Sequence, residues 1–163
     1  MAVLTAGASA PEIRLKSTEG KDFSLKEANA PVVAAFFKVG CPTCQYTFPF
    51  LERIHQAYPK ERVRVVGISQ DDADKTAAFI QEYKLTFPIL LDDTKKYLAS
   101  NAYQLMHVPS TFVIGKDGKV EMTSIGWVKD EFQQINEMVA QAAGLPAAPI
   151  FQAGEDVKDF KAG

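Results

Sequence analysis

The chain carries two cysteines, and they stand together in Gly40-Cys41-Pro42-Thr43-Cys44. Thiols three positions apart fall on one face of a helix, one turn from each other, close enough for one sulfur to attack a mixed disulfide on the other. The same pair is half of a zinc site, or two inert core thiols. Zinc needs about four ligands, and only His55, His107 or carboxylates stand ready to complete a set. The sequence on either side of the motif favours the redox use.

Upstream, the apolar run Pro31 to Lys38 (PVVAAFFK) has the length and character of a strand buried on both faces. Downstream, Cys44, Phe48, Leu51, His55 and Tyr58 recur at the spacing of an amphipathic helix, and Pro49 inside it predicts a kink. The motif therefore sits at a strand-to-helix junction. There the unpaired N–H groups of the first turn and the positive end of the helix dipole favour a thiolate. Cys41 is the expected nucleophile and Cys44 the expected resolving thiol. Pro42 falls at the first helical position, where its fixed φ fits and its missing N–H breaks no bond. Thr43 is placed to hydrogen-bond the Cys41 sulfur. His55 lies on the apolar stripe and reads as a packed histidine. His107, two residues before Pro109, reads as a loop histidine or a residue lining the site.

The other elements follow from pattern. Ile13 and Leu15, then Phe23 and Leu25, alternate with polar residues around Glu19-Gly20-Lys21, which predicts an N-terminal hairpin. Val63 to Ser69 predicts a second buried strand, Ala73 to Lys84 a helix capped from Asp71 and Asp72, and Phe87 to Leu91 a third strand. Thr94 to Ala99 reads as a short helix, and Thr111 to Ile114 and Val120 to Ile125 as strands joined by a tight turn at Lys116-Asp117-Gly118. Val128, Phe132, Ile135, Val139 and Ala142 mark a closing helix that Gly144 and Pro146 stop. The alternation of strand and helix predicts an α/β fold with a mixed sheet flanked by helices. Residues 1–144 form the expected domain, and 145–163, rich in Ala, Pro and Gly, an extended tail or strap.

Length and composition agree. At 163 residues, 47% hydrophobic and 23% charged, the chain has the proportions of one globular domain. Its 18 basic and 20 acidic residues give a net charge of −2 with no basic cluster, so nothing marks it for nucleic acid or an anionic membrane. No stretch approaches the roughly 18 apolar residues of a spanning helix. Asp71, Asp72, Asp92 and Asp93 stand just ahead of predicted helices and read as caps rather than metal ligands. The chemistry asks for no bound cofactor and no metal. The Met1 to Ala10 segment has neither the basic nor the apolar region of a secretory signal, so a cytoplasmic setting is expected if Met1 is the native start, and a periplasmic one if the chain is a mature form.

The blocks FFKVGCPTCQYTFPFL, VVGISQDDADKTAAFIQEYKLTFPILLDD, HVPSTFVIGKDGKV and SIGW, in this order and spacing, resemble the thioredoxin superfamily. Within it they resemble the redoxin (AhpC/TSA-related) branch, close to TlpA/ResA-like thiol-disulfide oxidoreductases, over about residues 6–144. The resemblance implies a thioredoxin fold with an N-terminal hairpin and an extra αβ insertion after the first βαβ unit. It implies that Val108-Pro109 is the cis-proline loop facing the dithiol, its backbone pairing with an extended substrate segment. It further implies that Pro49 is the kink proline of the active-site helix and that Trp127, after Gly126, rims the substrate groove, the other reading being a tryptophan packed in the core. The partners implied are protein or small-molecule disulfides and dithiols together with a thiol electron donor; a monomer is the favoured assembly, and the sequence leaves the oligomeric state open.

Three departures sharpen the reading. The buried carboxylate that thioredoxins keep under the dithiol is Ala35 here, and the glutamate usual in TlpA/ResA-like proteins is Thr47, so the proton acceptor for Cys44 is missing. Proline also follows the first cysteine directly, a pattern shared with glutaredoxins and oxidising DsbA-like proteins, which leaves the direction of electron flow open. The alternatives are a peroxiredoxin-like thiol peroxidase and a non-enzymatic redox-sensing or metal-carrying module. The proline and threonine that peroxidases place seven and three residues before the reactive cysteine are Ala34 and Lys38 before Cys41, and Phe37 and Cys41 before Cys44.

Overall fold

In the computed structural model, which describes residues 3–163, the hairpin forms from Arg14–Lys16 (β1) and Asp22–Ser24 (β2), paired antiparallel with Leu15 opposite Phe23. The apolar run becomes Val32–Phe37 (β3), every residue of it buried. A strand with no polar face must be covered on both sides, and β3 lies at the centre of a five-stranded sheet. Arg64–Ser69 (β4) pairs with it in parallel and Ile89–Leu91 (β5) continues in parallel to the edge. On the other side Ser110–Ile114 (β6) and Val120–Ile125 (β7) add antiparallel, giving the order β5-β4-β3-β6-β7.

Alternation along β3 divides the core in two. Val33, Ala35 and Phe37 face the cluster built by Pro42–Ala57 (α1), Ala73–Tyr83 (α2) and Lys129–Ala143 (α4), with Phe48, Leu51, Ile54, Phe79, Phe132 and Ile135. Val32, Ala34 and Phe36 face the hairpin and Leu98–Ala102 (α3), where Ile13, Phe23 and Tyr103 pack. Phe48, Leu51 and Ile54 are fully buried, each stabilising the α1 docking by about 1.5–3 kcal/mol. Gly67, opposite Ala35 on β4, makes room for this: a Cβ there would lie 2.7 Å from Ile89 Cδ1 and 3.0 Å from the Phe48 ring.

The short helix begins later than its sequence suggests, at Leu98 rather than Thr94. Asp93 accepts from the N–H groups of Lys95 and Lys96, closing a turn, and Tyr97 adopts φ 49°, so helical geometry cannot start until Asp92 caps Ala99 and Ser100. Residues 145–163 form a strap docked on the domain. Asn136 Nδ2 donates to Ala148 O, and Tyr58 Oη accepts from Ala148 N and donates to Asn136 Oδ1. Ile150 and Val157 are buried, and the strap ends as Phe160–Lys161 (β9), paired antiparallel with Trp127–Val128 (β8).

Candidate active site

The dithiol lies where β3 runs into α1. Cys41 is the N-cap of α1, with extended backbone (φ −85°, ψ 115°), and Pro42 opens the helix. With Pro42 at the first helical position, as its sequence predicts, Cys41 stands just outside the helix and its sulfur takes the role of a capping side chain. Cys41 Sγ accepts from the Cys44 N–H at 3.1 Å, one of the donors a helix start leaves unpaired. Cys41 is partly exposed, Cys44 is fully buried, and both are free.

Burial pushes the Cys44 thiol well above its ordinary range, and the neighbouring Cys41 and the Asp71 carboxylate push it the same way. A backbone hydrogen bond from Lys38 works the other way without reversing the shift, and the side chains beneath Cys44 offer little help. Ala35 is fully buried and apolar, and the buried Thr47 hydroxyl donates to Thr43 O at 2.7 Å. Thr111, facing Ala35 across β3 and β6, has a buried hydroxyl with no partner among the described residues. Asp71 is not the helix cap expected of it. Asp72 caps α2 through Lys75 N, while Asp71 reaches back to accept from Val39 N at 2.8 Å, fixing the loop ahead of Cys41.

The Val108–Pro109 peptide bond is cis, and Val108 O accepts from Cys41 Sγ at 3.5 Å, so this loop and the dithiol are in contact. Pro42 is exposed, Pro109 buried and His107 exposed. Two expectations need correction. Thr43 does not reach the Cys41 sulfur; its hydroxyl donates to Ala162 O at 2.6 Å, because the strap passes directly over the first turn of α1. Trp127 does not rim a groove. It is fully buried, stacked on Phe50 with ring centroids 4.6 Å apart and packed on Phe132, and its Nε1 donates to Lys158 O at 2.6 Å. The strap covers its polar edge, which is why it can be buried whole.

His55 is half-buried against Phe87 on the helix stripe, where desolvation lowers its pKa. It borders a cleft of about 830 Å³ together with Phe23, Arg64 and Phe87. That cleft opens near the start of β4, and the dithiol sits beyond the opposite, C-terminal end of β3.

Sequence reasoning missed the strap's part in the site. Its signal was faint: isolated Ile150, Val157 and Phe160, and an acid, Glu155, without an evident partner. In the structure Arg53 of α1 holds Glu155 through two bonds of 2.7 Å and also donates to Ile150 O.

Comparison with known proteins agrees with this geometry. Residues 6–123 match the model of the AhpC/TSA family. The sporulation thiol-disulfide oxidoreductase A of Bacillus subtilis is 28% identical over 69% of this chain and 69% of its own length. The thioredoxin-like protein YneN of the same organism is 31% identical over 78% and 76%. Among solved structures, Bacillus subtilis StoA superposes with TM-score 0.66 at 27% identity, covering 78% of this chain and 96% of StoA. A thiol:disulfide interchange protein of Chlorobium tepidum, 20% identical, shares the fold with TM-score 0.76 over 88% of this chain and all of its own.

Proposed function

The chain belongs to the AhpC/TSA family, in the redoxin branch of the thioredoxin superfamily, and on that premise we propose how its dithiol works. The protein is a thiol-disulfide oxidoreductase of the thioredoxin-like kind, acting on protein disulfides. Cys41 thiolate attacks one sulfur of a substrate disulfide; that S–S bond breaks, the leaving sulfur departs as thiolate and a mixed disulfide forms on Cys41. Cys44 then loses its proton and attacks Cys41 Sγ, releasing the second substrate thiol and leaving Cys41 and Cys44 joined. An external thiol donor returns two electrons to restore the dithiol. Run backwards, the same steps oxidise a substrate dithiol.

The observation that carries this reading is the division of labour at the helix start: an accessible capping sulfur that receives the Cys44 N–H, above a buried thiol one turn further in. The cis-proline loop supports it, since Val108 presents its backbone beside the nucleophile. Pro42 and Val108 flank the incoming disulfide, Pro109 fixes the loop, Thr43 positions the strap, and Trp127 supports the site from below. The proposal includes a cytoplasmic location, which fractionation of the source cells tests.

Peroxidase chemistry is disfavoured by position. Besides the missing threonine and proline, the four arginines are engaged elsewhere: Arg14 with Glu12, Arg53 with Glu155, Arg62 with Ala143 O, and Arg64 against Phe23. In the decisive experiment, Cys44→Ser incubated with a protein disulfide accumulates a mixed disulfide on Cys41 and does not turn over, while Cys41→Ser does neither. Catalytic turnover by Cys44→Ser would refute the two-cysteine cycle, and peroxide consumption by it would favour the peroxidase.

A further inference from the structure

Beyond Asp159 the strap changes character. Upstream it is firmly held, by the buried Ile150 and Val157, by Arg53 on Glu155, and by Lys158, whose carbonyl accepts from Trp127 and whose N–H donates to Tyr46 Oη at 2.9 Å. From Phe160 onward the side chains contribute little: Phe160 is 63% exposed, and Ala162 and Gly163 are small and exposed. Apart from Lys161 Nζ, which lies 5.8 Å from the centre of the Tyr46 ring, what touches the protein there is backbone. Lys161 pairs with Trp127 in the β8–β9 ladder, and Ala162 O takes the Thr43 hydroxyl. A Cβ on Gly126 would lie 2.6 Å from Lys161 O and 2.8 Å from Gly163 N, and one on Gly163 would lie 3.0 Å from Val108 O. Val108 O is the same carbonyl that accepts from Cys41 Sγ. Three residues of main chain thus bridge β8, Gly126, the first turn of α1 and the cis-proline loop.

An edge that accepts one extended chain by main-chain contacts accepts another, because such contacts read no side chain. We propose that Phe160–Gly163 of the same chain occupies, at rest, the edge beside the dithiol at which an extended protein substrate pairs. A protein substrate enters when this segment lifts away, with Asp159 as the hinge and the rest of the strap still docked. Local release of a lightly held segment from a firmly held one is the pattern expected of low-stability elements at binding sites. Small disulfides, which need only the Cys41 sulfur, do not require the release. The inference rests on the thiol-disulfide reading above and names the step that precedes its first chemical event.

The test compares the full chain, Thr43→Val and a chain ending at Asp159 in the reduction of insulin, a protein disulfide, and of 5,5′-dithiobis(2-nitrobenzoate), a small one. Thermal melts confirm that each is folded. Removing the Thr43 hydrogen bond raises the open population roughly 2- to 10-fold, and kcat/KM on insulin rises by the same factor. The shortened chain gains at least as much while its rate on the small disulfide changes by less than about twofold; Thr43→Val, whose side chain stands between the two cysteines, is read as the ratio of its insulin rate to its small-disulfide rate. The peptide Lys-Asp-Phe-Lys-Ala-Gly, the sequence of residues 158–163, added in trans inhibits the shortened chain on insulin and leaves the small disulfide unaffected. Unchanged or slower insulin reduction in both folded variants overturns the inference; should the shortened chain not fold, Thr43→Val decides it, with the peptide added to that variant in its place. If none of the three proteins reduces insulin, the thiol-disulfide reading itself fails, an outcome distinct from equal rates in all three.

Discussion

Resolution of the mixed disulfide should be governed by ionisation of Cys44 and should show no internal base. An ordinary thiol with pKa about 8.5 is roughly 3% thiolate at pH 7, and burial of Cys44, with Cys41 and Asp71 beside it, leaves less than that. Ala35 offers no acceptor, and the Thr47 hydroxyl is committed to Thr43 O. The rate should therefore climb about tenfold per pH unit from 6 to 8.5, following the thiolate fraction. The assay is a stopped-flow single turnover in which thionitrobenzoate is first loaded on Cys41 and its release by Cys44 is followed optically. Thr47→Glu places a carboxylate one helical turn from Cys44. It should raise the rate at pH 7 by at least about tenfold, a threshold set below the roughly 10²- to 10⁴-fold that a well-positioned general base supplies, and flatten the pH profile. Overpacking the buried site costs about 1–3 kcal/mol of stability, so the variant is assayed well below its Tm. A wild-type plateau beginning below pH 8, or no acceleration in Thr47→Glu, would refute the reasoning. Asp71→Asn separates two roles: if Asp71 only repels the Cys44 thiolate, the variant resolves faster, whereas slowing would show that Asp71 takes the proton.

The remaining expectations concern accessibility and the strap. At pH 8, iodoacetamide should modify Cys41 more than about tenfold faster than Cys44, as read by peptide mass mapping, because only Cys41 is open to solvent; equal labelling would contradict the buried position of Cys44. Trp127→Phe should lose about 1–3 kcal/mol in urea unfolding, from the Lys158 hydrogen bond and part of the ring's packing, and a loss below about 0.5 kcal/mol would mean the indole does not tie the strap down. Two bonds from Arg53 hold the Glu155 carboxyl down to about 2 from an ordinary 4.5. The stability it contributes is thus full above about pH 4.5 and is lost as pH falls towards 2. Thermal melts across that window should show the loss and Glu155→Gln should flatten it; identical profiles would show that the pair contributes nothing.

The sequence by itself determined the reactive pair, its placement at a strand-to-helix junction, the order of strands and helices, and the missing acids at Ala35 and Thr47. These are local or periodic facts. An apolar run, a helical stripe and a turn glycine act on their own neighbours, and the blocks around Cys41, Val108-Pro109 and Gly126-Trp127 keep their order along the chain. Burial of β3 on both faces put it inside the sheet between two cores, while the order of the strands beside it was set by the fold. Where local chemistry competed with pattern, the reading slipped: two aspartates at 92 and 93 delayed α3 by holding N–H groups that the apolar period assigned to a helix.

Tertiary structure alone decided what the last 19 residues do and which way three side chains turn. Trp127 is buried rather than at a rim because a strap with almost no periodicity supplies Lys158 O as its partner. Thr43 turns to Ala162 and Asp71 to Val39 because those acceptors and donors lie 119 and 32 residues away. Contacts of that range are made by backbone groups, which every residue carries and no sequence pattern marks. The dithiol was legible in the chain; the segment lying beside it became visible only once the chain was folded.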